Sequence, residues 1–259
     1  LGCKPNKSTS RLKRWVYHPG LRCCKMQFCV TFSCISLLLC CFQRINRLSE
    51  TMKGNSMSNT HISFAQRLKE ENRTTHDSVD YLVMSVAPFA DIARYTLFLK
   101  LQSVFHKIVE PIYQDAALNQ RIPGLADMVR YAAVVRDLQD LGSEPYVFSG
   151  QLPQPAGNRA IGWLYCAEGS NLGAAFLFKD AQKLDFTAEY GARHLAPHPD
   201  GRGKHWREFV DYLNRLGLDK PAQDEAISGA KEAFAFYKVI LREIFGLPED
   251  AEAPQPAEA

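Results

Sequence analysis

The chain has 259 residues, 46% hydrophobic and 11% aromatic, which excludes a disordered polymer and supplies enough apolar material for one sizeable core. Its net charge of +3 hides an uneven distribution: residues 1–56 carry ten Lys/Arg against the single acid Glu50, whereas residues 57–259 carry 21 basic and 27 acidic residues. The body is therefore mildly acidic, which excludes a broad basic face for nucleic acid.

The first 56 residues read differently from the rest. Seven of the eight cysteines fall within the first 41 positions, at spacings that match no common zinc pattern. Met26–Phe42 is uncharged and follows Arg22 and Lys25, as a signal-peptide core or a short anchor would. No small-residue cleavage pattern follows it, and it is short for a membrane span. We read residues 1–56 as a non-globular, basic, Cys-rich leader of upstream or artefactual origin, 57–247 as the folded domain, and 248–259 as a flexible Pro/Ala/Glu tail. Cys166 is the one cysteine of the body, which allows no internal disulfide there and fits a reducing cytoplasm. Its apolar neighbours make it a small packing residue rather than a nucleophile.

Ser63-Phe64-Ala65-Gln66 has the S-x-x-Q form of a capping box and opens the first helix, whose stripe is Phe64, Leu68, Asn72, Thr75, Val79 and Leu82. His76 lies beside that stripe. Such a histidine reads first as a hydrogen-bonded core residue, but neutral imidazole is also an axial ligand for haem iron. Lys69, two turns earlier on nearly the same face, is either a solvated cation or a partner for an anionic group of whatever His76 binds.

Asp91 caps a second helix with Tyr95, Phe98, Leu101, Phe105, Ile108 and Ile112 inward, Gln102 and His106 on its flank, and Pro111 set to bend or interrupt it. Gly124–Leu141 reads as a third helix, with Leu125, Met128, Val129, Ala132, Val135 and Leu138 inward and Arg130 a surface charge. Residues 141–158 are rich in Gly and Pro and read as loop.

Gly162–Lys179 has helix length, yet its middle is Gly169-Ser170-Asn171-Leu172-Gly173. Each interior glycine costs about 1 kcal/mol relative to alanine. Small residues at Ala167, Ser170, Gly173 and Ala174 leave one side bare, so a flat or bulky neighbour is expected there; close helix packing is the plain alternative. Residues 180–205 read mostly as loop, and His194, His198 and His205 within it as surface or packing residues rather than metal ligands. A short helix over His205–Leu216 and a long one from the cap Asp219 to the stop at Gly246 complete the chain, the last with Ile227, Ala230, Phe234, Tyr237, Leu241 and Ile244 inward. No segment alternates with period two, so the fold is expected to be all-α.

Together, T-T-H-D-S-V-D (74–80), G-W-L-Y-C-A-E-G-S-N-L-G-A-A-F (162–176) and A-F-A-F-Y-K (233–238) resemble bacterial heme oxygenases of the iron-acquisition type over about residues 61–247. The resemblance implies a single helical domain with haem b, both substrate and cofactor, sandwiched between a proximal and a kinked distal helix. It makes His76 the proximal iron ligand and puts Gly169, Ser170, Asn171 and Gly173 over the distal face. It matches Asp80, Gln102, His106 and Arg130 to a proton-delivering water network, Lys69 and Tyr237 to the haem propionates, and Val79, Tyr165 and Phe234 to the rest of the haem pocket. Lys69, Tyr165 and Tyr237 look like members that cut at the α-meso carbon.

The implied reaction converts haem, O2 and reducing equivalents to biliverdin IXα, ferrous iron and CO. No flavin or nicotinamide motif is present, so the expected partner is a ferredoxin or flavodoxin with its reductase. A monomeric cytoplasmic enzyme with no membrane contact is expected, serving iron acquisition or bilin supply. The competing reading is a haem-binding or storage protein without turnover. It also needs His76 and a flat pocket, but gains nothing from an open glycine face.

Overall fold

The computed structural model describes residues 62–248. The expected leader, and all of the expected tail but Pro248, lie outside the described residues. Among the described residues the chain is helical: α1 (Phe64–Ser85), α2 (Ile92–Tyr113), α3 (Ala116–Arg121), α4 (Tyr131–Asp140), α5 (Gly157–Gln182), α6 (Arg202–Arg215) and α7 (Lys220–Phe245), with 3-10 turns at Leu125–Met128 and Arg193–Leu195. The one extended feature described is an isolated bridge between Thr187 and Gly191. No helix here is long and apolar enough to cross a membrane, among the described residues.

Local chemistry sets the helix ends. The Ser63 hydroxyl accepts from Gln66 N at 3.3 Å, while the Gln66 side chain turns to Glu70 at 2.9 Å, so the expected reciprocal half of the capping box is not made. Asp91 accepts from Arg94 N at 2.8 Å and Asp219 from Ala222 N at 3.0 Å, each meeting an amide that lacks an intrahelical partner. Gly246 adopts φ 65°, and Leu247 N donates back to Arg242 O at 2.9 Å, ending α7 in the manner glycine permits.

Three expectations about the elements need correction. The helix expected over 124–141 is split: Gly124 turns at φ 77°, a 3-10 turn follows, and α4 begins only after Arg130. Its inward residues are Val134, Asp137 and Leu138, and Ala132 faces solvent. Pro111 does not interrupt α2, which runs on to Tyr113; it lies close enough to the end that few hydrogen bonds remain to be lost. The helix around Gly169 starts at Gly157 and reaches Gln182, longer at both ends than its apolar run, and stays helical through Gly169–Gly173.

The core is built on α2, α5 and α7, with Tyr95, Phe98, Tyr113, Trp163, Leu164 and Phe209 almost wholly enclosed. Burying each such side chain contributes about 1.5–3 kcal/mol. The most extensive helix–helix packing is that of α5 with α7, and two glycines make their close approach possible. A Cβ on Gly162 would stand 1.9 Å from Ala226 O, and one on Gly229 would stand 2.1 Å from Arg159 O. Helix α1 also packs on α7, but α1 and α5 scarcely touch one another. Both helices therefore flank α7.

Candidate active site

On α1, Leu68, Asn72, Val79 and Leu82 turn inward and hold the helix against its neighbours. His76 comes off the edge of that face with its side chain 53% exposed, so it is not the enclosed core histidine that spacing first suggests. Its ring meets the ring of Phe234 on α7 edge-on, with centroids 5.7 Å apart. Its Nδ1 lies 3.3 Å from an Asp80 carboxylate oxygen and 3.8 Å from one of Asp77. The Asp80 carboxylate stands at ion-pair distance on the Nδ1 side of the ring rather than in a hydrogen bond, which leaves the Nε2 lone pair on the other side for a metal. Burial raises the Asp80 pKa, partly opposed by His76 and reinforced by Asp77.

On the α5 side the glycines do what their composition suggests. A Cβ at Gly173 would meet no neighbouring atom within 4 Å, and one at Gly169 would make ordinary contact with the Trp206 ring at 3.6 Å. Close helix packing, the plain alternative, is the role of Gly162 rather than of these two.

The opposite face of the same turn is tied down. Glu168 is enclosed and accepts from the Tyr113 hydroxyl at 2.5 Å and from Asn171 Nδ2 at 3.2 Å; His205 Nε2 lies 3.1 Å from it. Arg202 donates to Asn171 O at 2.9 Å and also to Leu195 O, and burial lowers its pKa to about 10. Burial, with Glu168 beside it, drives the Tyr113 pKa well above its ordinary value, so Tyr113 is a fixed donor to Glu168.

Between α2 and α5 lies a small cavity of about 30 Å³, room for a water molecule, walled by Gln102, His106, Ser170, Asn171, Phe98 and His194 among others. Two residues expected in a proton-delivering network, Gln102 and His106, thus meet two expected over the distal face, Ser170 and Asn171. Burial, with smaller contributions from His194 and Arg130, lowers the His106 pKa to about 3, so its imidazole is neutral. Gln102 Nε2 donates to the Tyr237 hydroxyl at 2.9 Å, which links the cavity to α7. Burial raises the Tyr237 pKa.

Two members of the expected network do not line this cavity. Asp80 stands beside His76, and Arg130 donates to the backbone oxygens of His194 at 2.8 Å and Ala196 at 3.4 Å. Arg130 is half-buried rather than the expected surface charge, because it clamps the turn at 193–195 from the start of α4. Lys69 is half-buried on α1, and Tyr165 is buried against Trp206, with ring centroids 5.7 Å apart. Val79 is buried and Phe234 partly so.

Of the three histidines read as surface or packing residues, two are interior. His194 is buried with Nδ1 2.8 Å from Asp137, and His205 is buried against Glu168. His198 stacks on His205 at 4.5 Å. Cys166 is buried as expected, its Sγ 3.6 Å from Ala230 O, and burial raises its pKa far from thiolate chemistry. Asp137, Glu168 and Arg202 carried no sequence signal. An acid or arginine on a helix looks solvated until its neighbours are known.

Haem fits these residues on two counts: an accessible imidazole with a carboxylate on its Nδ1 side, and a glycine face with no protein atom within 4 Å of the Cβ position at Gly173. The sequence profile of the heme oxygenase family matches residues 62–243. Heme oxygenase PigA of Pseudomonas aeruginosa is 36% identical over 192 residues, spanning 70% of this chain and 92% of that protein. The NO- and CO-bound heme oxygenase of Neisseria meningitidis superposes with a TM-score of 0.73 at 68% identity, over 75% of this chain and 98% of that one. Helical architecture, site chemistry and these likenesses agree, and the chain belongs to the heme oxygenase family.

Proposed function

We propose that this protein cleaves haem with O2 and reducing equivalents to biliverdin, ferrous iron and CO. The observation that carries the proposal is the pairing of an accessible His76 with a glycine face at Gly173 that no protein atom covers. A carrier also needs an axial histidine, but an open second face next to a polar cavity serves turnover.

Haem supplies the redox chemistry and the carbon skeleton that is cut. The chain does the rest. His76 would hold the haem iron, with the Asp80 carboxylate beside its ring, and Val79 and Phe234 would line the same side. Gly173 keeps the opposite face free of side chains, Gly169 one turn earlier lets the helix lie against Trp206, and Ser170 and Asn171 border the space. No acid or base side chain on that stretch intrudes, so chemistry is directed to the porphyrin edge. Gln102, His106, Ser170 and Asn171 hold water from which protons are delivered, and Arg130 braces that wall through the 193–195 turn. Lys69 and Tyr237 seat the propionates, and with Tyr165 set the in-plane orientation that selects biliverdin IXα. Electrons come from a ferredoxin or flavodoxin with its reductase, since no flavin or nicotinamide motif occurs in the sequence. A monomer in a reducing cytoplasm is the setting we infer, from the lone Cys166 of the body.

The test is reductive turnover of the hemin-loaded full chain in air, with ascorbate or a ferredoxin–reductase pair and with catalase to remove free peroxide. Loss of the Soret band, a rising biliverdin absorbance and released iron are expected, with the α isomer on chromatography. His76→Ala should lose the Soret signature of axial ligation. A Soret band that forms and persists with every electron donor would make the protein a carrier, and an unchanged spectrum in His76→Ala would remove His76 as the ligand.

A further inference from the structure

His194 is the residue that neither spacing nor the resemblance singles out and that the structure builds with the most care. It sits on the 3-10 turn Arg193–Leu195, buried, and lines the same cavity as Gln102, His106, Ser170 and Asn171. Its backbone N–H donates to Asp137 at 2.9 Å and its ring Nδ1 lies 2.8 Å from the same carboxylate oxygen. The other oxygen of Asp137 accepts from Arg193 N at 2.9 Å and from the Arg193 guanidinium at 3.1 Å, and Arg130 holds the His194 carbonyl. The carboxylate itself is wholly enclosed. Five bonds therefore fix one imidazole.

Fixing it has a consequence for the ring's far side. With Nδ1 committed to Asp137, Nε2 points the other way, and this buried nitrogen has no protein hydrogen-bond partner. His106 Nδ1, across the same cavity, has none either. Buried polar atoms are nearly always paired, so two orphans on residues that line one small cavity point to a bound water. Burial lowers the His194 pKa, with Asp137 opposing, and the ring is neutral. Asp137 stays ionised: burial opposes its charge, but the hydrogen bonds from His194 and Arg193 outweigh that and lower its pKa. An ionised carboxylate holds the ring proton on Nδ1, so Nε2 is an acceptor.

We propose that His194, oriented by Asp137, is a positioning residue of the distal cavity whose Nε2 accepts a hydrogen bond from a water held with Gln102, His106 and Ser170. An acceptor on one wall fixes which way that water points its second proton. The cavity then delivers protons in one direction, toward the glycine face of α5, rather than exchanging them at random. This role rests on the proposed haem cleavage, but the seating of the water does not.

The experiment therefore has two readouts. Nitrogen-15 NMR of the histidine rings at pH 7.5, in the full chain before hemin is added, should show His194 neutral, protonated on Nδ1 and bare on Nε2, with a water cross-relaxation signal to its ring protons. A protonated Nε2, or no water signal at that ring, overturns the proposal whatever the protein does with haem.

The second readout is turnover of His194→Phe and His194→Gln. Phe keeps the ring volume beside Phe98 but removes the acceptor, whereas Gln can place an amide oxygen near the Nε2 position. The expectation is hemin binding within about twofold of wild type in both, about tenfold less biliverdin formed per electron consumed in Phe, and recovery to within about threefold in Gln. Equal losses in both variants, or none in Phe, overturn the role. A wild-type protein that makes no biliverdin overturns the proposed function and leaves the NMR result to decide the water site. If Phe does not fold, Gln and the wild-type spectra still decide.

Discussion

At the scale of single residues, burial alone does not identify the working groups here. His76, the axial ligand in our reading, is half exposed, whereas His106, His194 and His205 are enclosed. The difference follows from what each must meet: an iron ligand has to remain reachable, and a proton-path residue has to exclude bulk water. The same contrast separates the glycines. Gly173 meets nothing, so Gly173→Ala carries no steric penalty and gains helix propensity of about 1 kcal/mol. We expect a rise in urea midpoint of that order together with weaker hemin binding and lower turnover, since the new methyl projects where haem is to lie. A stabilised variant with unchanged turnover would show that this face is not the haem contact.

At the scale of elements, the decisive arrangement is that α1 and α5 share α7 as a floor instead of packing together. The glycines at the α5–α7 crossing make that floor close-fitting. Gly162→Ala would force a methyl to 1.9 Å from Ala226 O and 2.4 Å from Ala230 N, both backbone atoms that cannot swing away. Relief requires the helices to part, costing about 3 kcal/mol. Chemical denaturation should show that loss, with the haem spectrum of the remaining folded fraction broadened. A midpoint within error of wild type would mean that the crossing is looser than it is drawn here. Element α5 is also held from behind: Tyr113, Glu168 and His205 join α2, α5 and α6 through one carboxylate. That anchor lets a helix with three interior glycines keep its shape.

At the scale of the whole molecule, two buried neutral imidazoles make stability depend on pH. His106 has its pKa lowered to about 3 and His194 is lowered as well, each chiefly by burial. Unfolding exposes both rings to ordinary protonation near pH 6.5, so below that the unfolded chain binds more protons than the folded one. The stabilisation is therefore fully present above about pH 6.5 and is lost as pH falls toward 3, at up to about 1.4 kcal/mol per pH unit for each ring. Asp137 adds to the loss at the acid end, because a carboxyl with a depressed folded pKa stabilises only while ionised. The urea midpoint should thus fall between pH 7.5 and 5.5 with little change in slope, and His106→Gln should flatten the dependence. A pH-independent midpoint would show that His106 is solvated in the folded state.

The sequence by itself determined the helical class, the caps at Ser63, Asp91 and Asp219, the stop at Gly246 and the bare face of α5. All of these depend on periodicity, on glycine and capping chemistry, or on long motifs read within one stretch of chain. Only the tertiary structure decided which glycines pack and which stay open, because Gly162 and Gly173 look alike until α7 is laid beside one of them. It also decided that His194, Asp137, Glu168 and Arg202 are interior. A polar side chain on a helix or turn becomes a buried partner only when a distant segment supplies the opposing group, and no local pattern records that segment's approach.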